Sequence, residues 1–413
     1  MKMAPFSADV FAAVVLTGVL FTVPAFAAEP VRQTRDMGKM QAALARPALS
    51  ATAVFDRDGR LWLARVEKGH LYVSHSADKG TTFGPAVKVN FAPENIASDG
   101  ENRPKIVLDK NGHIYVAYTA SLEKPYSGDI RFSRSRDGGS SFSEPITVND
   151  NREVISHRFE AMGVNDRGEI TLAWLDKRDL SAAERKRKKY IGAAVYYAVS
   201  KNGGASFEPN RKAADHACEC CRVAMAMDKD DVPVIFWRHI YGKNVRDHAL
   251  LGLDGKSQPA RVSRDNWEVD ACPHHGPAIS IGADGVYHLA WFNNAPQRHG
   301  LFYAYSSDRG KSFSAPVSFG DYEAQASHPA VLSLDKSVFI AWKEFDGQNS
   351  IVNLMTSGDG GKSWSPPQKL AATSGASDHP LLIGDGNQPY LSWNILKEGF
   401  RLIEIKVKGG SRP

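Results

Sequence analysis

Two short segments hold all four cysteines of the chain. One reads Asp215-His216-Ala217-Cys218-Glu219-Cys220-Cys221-Arg222, and the other reads Asp270-Ala271-Cys272-Pro273-His274-His275-Gly276. Thiolates and imidazoles select soft or borderline metals, chiefly Cu(I) and Zn²⁺. A tetrahedral set drawn from Cys218, Cys220, Cys221, Cys272, His274 and His275 would suit zinc. Met225 and Met227 lie just downstream, and thioether ligation would tilt the choice toward copper; their alternation along a strand fits packing better. The spacing follows no zinc-finger pattern, and the Cys-x-x-Cys-His haem signature is absent. Disulfide chemistry competes. An even number of cysteines in an exported chain usually means bridges, and a Cys221–Cys272 or Cys218–Cys272 bond would join the segments. The adjacent pair Cys220 and Cys221 could bond to each other only with strain. A redox-switched site would combine both chemistries, and an isolated reactive thiol is the remaining reading.

The two segments act together only if the fold brings them together, and internal repetition supplies the reason. Ser76-Ala77-Asp78-Lys79-Gly80-Thr81-Thr82-Phe83 recurs as Ser135–Phe142, Ser200–Phe207, Ser306–Phe313 and Ser357–Trp364, with Asn202 replacing the acid in the third copy. The Asp side chain accepts backbone N–H groups within a turn, Gly supplies a positive φ, and the aromatic tucks beneath. Between the copies run short alternating segments bounded by Gly, Asp, Asn and Pro, such as Arg103–Leu108 followed by His113–Tyr118, and His328–Leu332 followed by Val338–Trp342. The second segment of each unit ends in an aromatic residue: Tyr118, Trp174, Trp237, Trp291, Trp342 or Trp393. A period of roughly 50 residues indicates a propeller or a solenoid.

The expected architecture is therefore all-β: a β-propeller of four-stranded blades, seven favoured and six the alternative, with the repeated turn joining the third strand to the fourth. Strand heads fall near Ala51, Arg103, Arg158, Arg222, His275, His328 and His379. The fourth unit has only Leu253-Asp254-Gly255 where a repeated turn should stand. The seventh has three strands, so its fourth is expected from the chain before Ala51. Both cysteine segments occupy the same phase of consecutive units, just before the strand that lines a propeller's channel. Six donors should thus converge at one channel mouth. Arg103, His157, Arg158, Arg222, His328 and His379 occupy the equivalent heads and form a candidate binding ring. The plainer reading is that such residues satisfy loop backbone, as in His328-Pro329 and His379-Pro380.

The repeated turn resembles the Asp box (BNR repeat) of the sialidase-like superfamily, over nearly the whole chain that follows the N-terminal segment. That resemblance implies a propeller, and carried into enzymology it implies a glycosidase that clamps an acidic sugar with an arginine triad. Arg103, Arg158 and Arg222 occupy the comparable heads, with Glu160 and Asp99 as carboxylates. The chain departs from the family pattern: Arg103-Pro104 lacks the residue that intervenes in the family's Arg-Ile-Pro motif, and no nucleophilic Tyr–Glu pair stands out. Most sialidase-like enzymes also have six blades.

Residues 1–27 have the layout of a signal peptide: Lys2, an apolar run from Val10 to Val23, and Ala25-Phe26-Ala27, with cleavage after Ala27 or Ala28. Residues 28–50 form an N-terminal segment and 51–408 a single propeller domain. The expected compartment is the periplasm or the exterior, with no membrane span in the mature chain. A net charge of +5, with 23% charged and 42% hydrophobic residues, describes an ordinary soluble protein and gives no support to nucleic-acid binding. One basic run, Glu184–Lys189, interrupts the third unit as a solvated loop or a docking site for an anionic partner. The residues point to an exported propeller that binds copper, or alternatively zinc, through its Cys/His loops. A sialidase-like glycosidase and a protein-interaction scaffold with structural disulfides are the alternatives. The partner is a metal ion or a small acidic ligand, with a periplasmic protein partner left open.

Overall fold

The computed structural model describes residues 48–406, so the expected signal peptide and nearly all of the N-terminal segment lie outside the described residues. The described residues are almost entirely β, in antiparallel units laid down in sequence order. The first unit is β1–β4 (Ala51–Phe55, Leu61–Glu67, His70–Ser76, Val87–Lys88) and the second β5–β8 (Lys105–Leu108, Ile114–Ser121, Gly128–Ser135, Ile146–Thr147). The third is β9–β12 (His157–Val164, Ile170–Asp176, Ala193–Ser200, Arg211–Ala217), with the helix α1 (Arg178–Arg185) between β10 and β11. The fourth is β13–β16 (Ala224–Met227, Pro233–Tyr241, Val245–Gly252, Ala260–Arg261). Next come β17–β20 (Ala278–Ile281, Tyr287–Ala295, Arg298–Ser306, Val317–Phe319) and β21–β24 (Ser327–Leu334, Ser337–Phe345, Ser350–Ser357, Gln368–Thr373). The last is β25–β27 (Leu381–Gly384, Pro389–Ile395, Gly399–Glu404). The third and fourth units join into one eight-stranded sheet through the Ala217↔His239 pair.

The repeated turns form as their residue types dictate, at the junction of third and fourth strands. In the first, Thr82 N donates to Asp78 Oδ1 at 2.8 Å, and Gly80 N donates to Ser76 Oγ at 2.8 Å. The serine is thus as much part of the device as the acid, a role the spacing alone did not reveal. The same pair of bonds recurs at Ser135/Asp137, Ser200/Asn202, Ser306/Asp308 and Ser357/Asp359. Even the degenerate Asp254 turn accepts from Lys256 N and Ser257 N.

The aromatic residues of the second strands are buried, with the strands running two to four residues beyond them; Trp174, Trp237, Trp291 and Trp342 have no exposed surface. Each helps fill an apolar core between two consecutive units: Tyr118 between the first and second, Trp174 between the second and third, and so on through Trp393. A further core of Phe55, Leu61 and Tyr390 joins the last unit to the first. The aromatic of each repeated turn packs on the core shared with the preceding unit, as Phe142 does against Trp62 and Tyr118. The box thereby seals one sheet to the previous one. Burial of large apolar side chains, worth about 1.5–3 kcal/mol each, therefore fixes neighbouring units against each other. The first strands lie side by side in the order β1, β5, β9, β13, β17, β21, β25 and back to β1. Among the described residues the last unit has three strands, and Leu49 joins it by accepting from Asn394 Nδ2 at 2.6 Å.

Candidate functional site

The loop from β12 to β13 carries Cys218, Cys220 and Cys221. Cys218 N donates to Arg238 O at 2.9 Å, which anchors the loop on β14 where the two sheets join. The three side chains are buried, and their sulfur atoms form a near-equilateral triangle. Cys218 and Cys220 are 3.7 Å apart, and both lie 3.9 Å from Cys221. A disulfide requires about 2 Å; all four cysteines are free thiols. The expected bridges from Cys218 or Cys221 to Cys272 are not formed, because the buried sulfurs face one another across the loop and Cys272 lies exposed.

Electrostatics divide the three. Arg246, buried on β15, donates from Nη1 to Cys218 Sγ at 3.0 Å. Hydrogen bonds from the Cys220 and Cys221 thiols, aided by the Arg238 and Arg246 charges, hold the Cys218 thiol well below its usual range. The same bonds push Cys220 and Cys221 up. One thiolate therefore sits among two thiols, a charge-assisted arrangement. Replacing Arg246 by Met should move the pH dependence of Cys218 alkylation in metal-free protein upward by about one unit, the lower end of what an adjacent opposite charge imposes.

Cys272 and His274 stand exposed on the loop between β16 and β17, where their ligand atoms and Cys220 Sγ all lie within 4.8 Å of one another. His275, one residue on, turns elsewhere: its ring stacks on Phe292 at 4.1 Å and approaches His328 at 4.7 Å. The six expected donors thus separate: Cys220 with four others around it, and His275 into a second cluster.

That cluster centres on Glu101, which was not singled out from the sequence. It accepts from Arg222 Nη1 at 2.6 Å, Arg222 N at 3.1 Å and Gly276 N at 2.9 Å. Its Oε1 also lies 3.3 Å from His328 Nδ1 and 3.7 Å from His379 Nδ1. Burial alone would raise this carboxyl, but Arg222 and then His328 bring it well below the carboxylate range. Burial lowers His328 and His379, and lowers His275 to about 3, so the three imidazoles are neutral. Although Glu101, His328 and His379 have metal-ligating types, the two rings stack at 3.4 Å with planes 14° apart. A cation bound to two imidazoles lies near both ring planes, which parallel stacking forbids.

Glu101 instead ties the cysteine loops together, since Arg222 follows Cys221 and Gly276 follows His275. A Cβ at Gly276 would stand 2.3 Å from Arg222 Cγ and 2.5 Å from Glu101 Oε2, so only glycine allows this approach. Glu101→Ala should lower stability by about 3 kcal/mol in denaturant unfolding, because it removes the buried carboxylate that pairs with the partly buried Arg222 charge and holds both loop backbones.

The remaining expected ring residues are committed elsewhere. Arg103 bonds Asp378 Oδ1 at 2.9 Å and the Ala51, Gly100 and His379 carbonyls. His157 is fully buried and bonds Asp176 Oδ2 at 2.9 Å. Arg158 lies over the Phe159 ring, with its Nε buried and unpartnered. Glu160 is buried, accepts from Thr119 Oγ1 at 2.7 Å and is raised by burial. Asp99 caps its own turn, accepting from Glu101 N and Asn102 N. The basic run begins within α1, where Arg185 pairs with Glu153 at 2.7 Å.

No family model matches the chain, and no curated protein matches it. Solved structures do. A lectin from Burkholderia pseudomallei aligns over 87% of this chain and 99% of its own, with a TM-score of 0.55 at 13% identity. An ulvan lyase of polysaccharide lyase family 25 aligns over 87% and 91%, with a TM-score of 0.54 at 11% identity. A Hadza microbial sialidase aligns over 85% and 74%, with a TM-score of 0.50 at 13% identity. At such identities the likeness defines the fold, a β-propeller, and carries no chemistry. No helix among the described residues is long and apolar enough to cross a membrane.

Proposed function

We propose that this chain is an exported β-propeller of seven blades, within the sialidase-like superfamily, that binds one soft cation through Cys218, Cys220 and Cys221. The sulfur triangle carries the reading. Tetrahedral ligation with metal–sulfur bonds of about 2.3 Å separates the sulfurs by about 3.8 Å, and the observed edges are 3.7, 3.9 and 3.9 Å. Burial of all three cysteines shields the site from water, and the Arg246 bond to Cys218 favours thiolate within it despite that burial. Copper is favoured over zinc because the buried set offers three sulfurs, whereas structural zinc takes four ligands; thiolates by themselves select either ion. The seven-blade count rests on the seven inter-unit cores, including the one that joins last unit to first.

The glycosidase reading has less support, because the Arg103 and Arg222 guanidiniums are already paired with Asp378 and Glu101. Elemental analysis of the full chain purified under reductant tests the proposal. About one copper or zinc per chain is expected; free thiols with neither metal would overturn it.

A further inference from the structure

We propose that Cys220 is the shared donor of a two-position route, along which a soft cation passes between the buried cysteine set and an exposed loading position made with Cys272 and His274. The inference rests on the reading of Cys218, Cys220 and Cys221 as a metal site, and adds a path and a partner chemistry to it.

Three observations carry the route. Cys220 belongs to two donor groups, each with its ligand atoms within 4.8 Å: Cys218–Cys220–Cys221 and Cys220–Cys272–His274. Exposure changes across it, for Cys218 and Cys221 are buried while Cys272 and His274 face solvent. The outer pair also comes from a separate loop, which Glu101 fixes against the cysteine loop through Gly276 N and Arg222 N. His274 itself holds a left-handed backbone, φ 54°, a region that non-glycine residues seldom enter. No hydrogen bond to its ring is found among the described residues, so its side chain is available to a ligand.

The chemistry is ligand exchange without redox change. The cation first binds the Cys272 thiolate and the His274 imidazole, and Cys220 then adds as a third donor. Cys218 and Cys221 replace Cys272 and His274 as the ion moves inward. New metal–sulfur bonds form before old bonds break, so the ion is never released to water. Each thiol that enters coordination gives up its proton, and Cys272 takes one back from solvent on leaving. Reversal delivers the ion to a partner that presents thiolate or imidazole donors at the exposed position.

The test loads reduced full-length protein from the Cu(I)–bicinchoninate complex and follows loss of its colour in a stopped-flow instrument. The doubly substituted Cys272→Ser, His274→Ala chain should keep its equilibrium affinity within about threefold while uptake slows by about tenfold or more, an affinity cost below that of losing even an outer-shell partner. Unchanged uptake would overturn the route. So would a parallel collapse of affinity, which would make the outer pair part of a single site. Failure of the unsubstituted chain to take up copper would instead remove the underlying metal reading.

Discussion

Cys221→Ser should weaken Cu(I) binding by more than about 100-fold in competition with a chromogenic chelator, exceeding the 10–100-fold typical of losing an outer-shell partner. Cys221 is buried and belongs only to the inner donor group, so neither Cys272 nor His274 can take its place. Its hydroxyl substitute is a hard donor that a soft cation rejects. The substitution is close to isosteric and leaves the neighbouring cores untouched. Thermal unfolding of the metal-free variant should therefore stay close to that of the parent chain. Cys272→Ser is the matched control, since the outer residue leaves the sulfur triangle intact. Loss of affinity from the outer variant and not from Cys221→Ser would place the metal elsewhere.

Affinity should also rise steeply with pH, by about 100-fold per unit near neutrality. The sign follows from the three thiols. Cys218 is held low and is already a thiolate, while Cys220 and Cys221 are pushed up and carry protons. Ligation needs all three deprotonated, so binding expels two protons, and each contributes a factor of about ten per pH unit. The effect persists until the pH reaches the raised thiol range. Isothermal calorimetry in buffers of different ionisation enthalpy would count those protons directly. A value of three would mean that the Cys220 and Cys221 hydrogen bonds, with the Arg238 and Arg246 charges, do not hold Cys218 ionised, and a value near zero would mean that sulfur does not ligate.

The fold was legible because its signals are local. Ser76, Asp78, Gly80 and Phe83 lie within one turn, and the spacing of acid, glycine and aromatic announces that turn, although the bonds of the serine hydroxyl are seen only in the structure. Repeat phase was equally informative: it placed Cys272 and His274 beside Cys220 although about 50 residues intervene. What the phase could not give was side-chain direction. His274 and His275 are adjacent, yet one faces the cysteines and the other stacks on Phe292. Nor could it expose partners that arrive from distant units. Glu101 reaches Arg222 across 121 residues, and no motif marks it. Arg238 and Arg246 left a fainter trace, as arginines that adjoin apolar runs inside strands. A buried arginine in such a strand needs an anionic or carbonyl partner, and here the thiolate of Cys218 and the carbonyls of Val269, His275 and Phe292 serve.

X-ray absorption at the copper edge of the loaded full chain tests the sulfur site most directly. The structure predicts a first shell of three sulfurs at about 2.3 Å, reduced in number when Cys221 is replaced by Ser. A shell of nitrogen and oxygen alone, or one unchanged by that substitution, would contradict it.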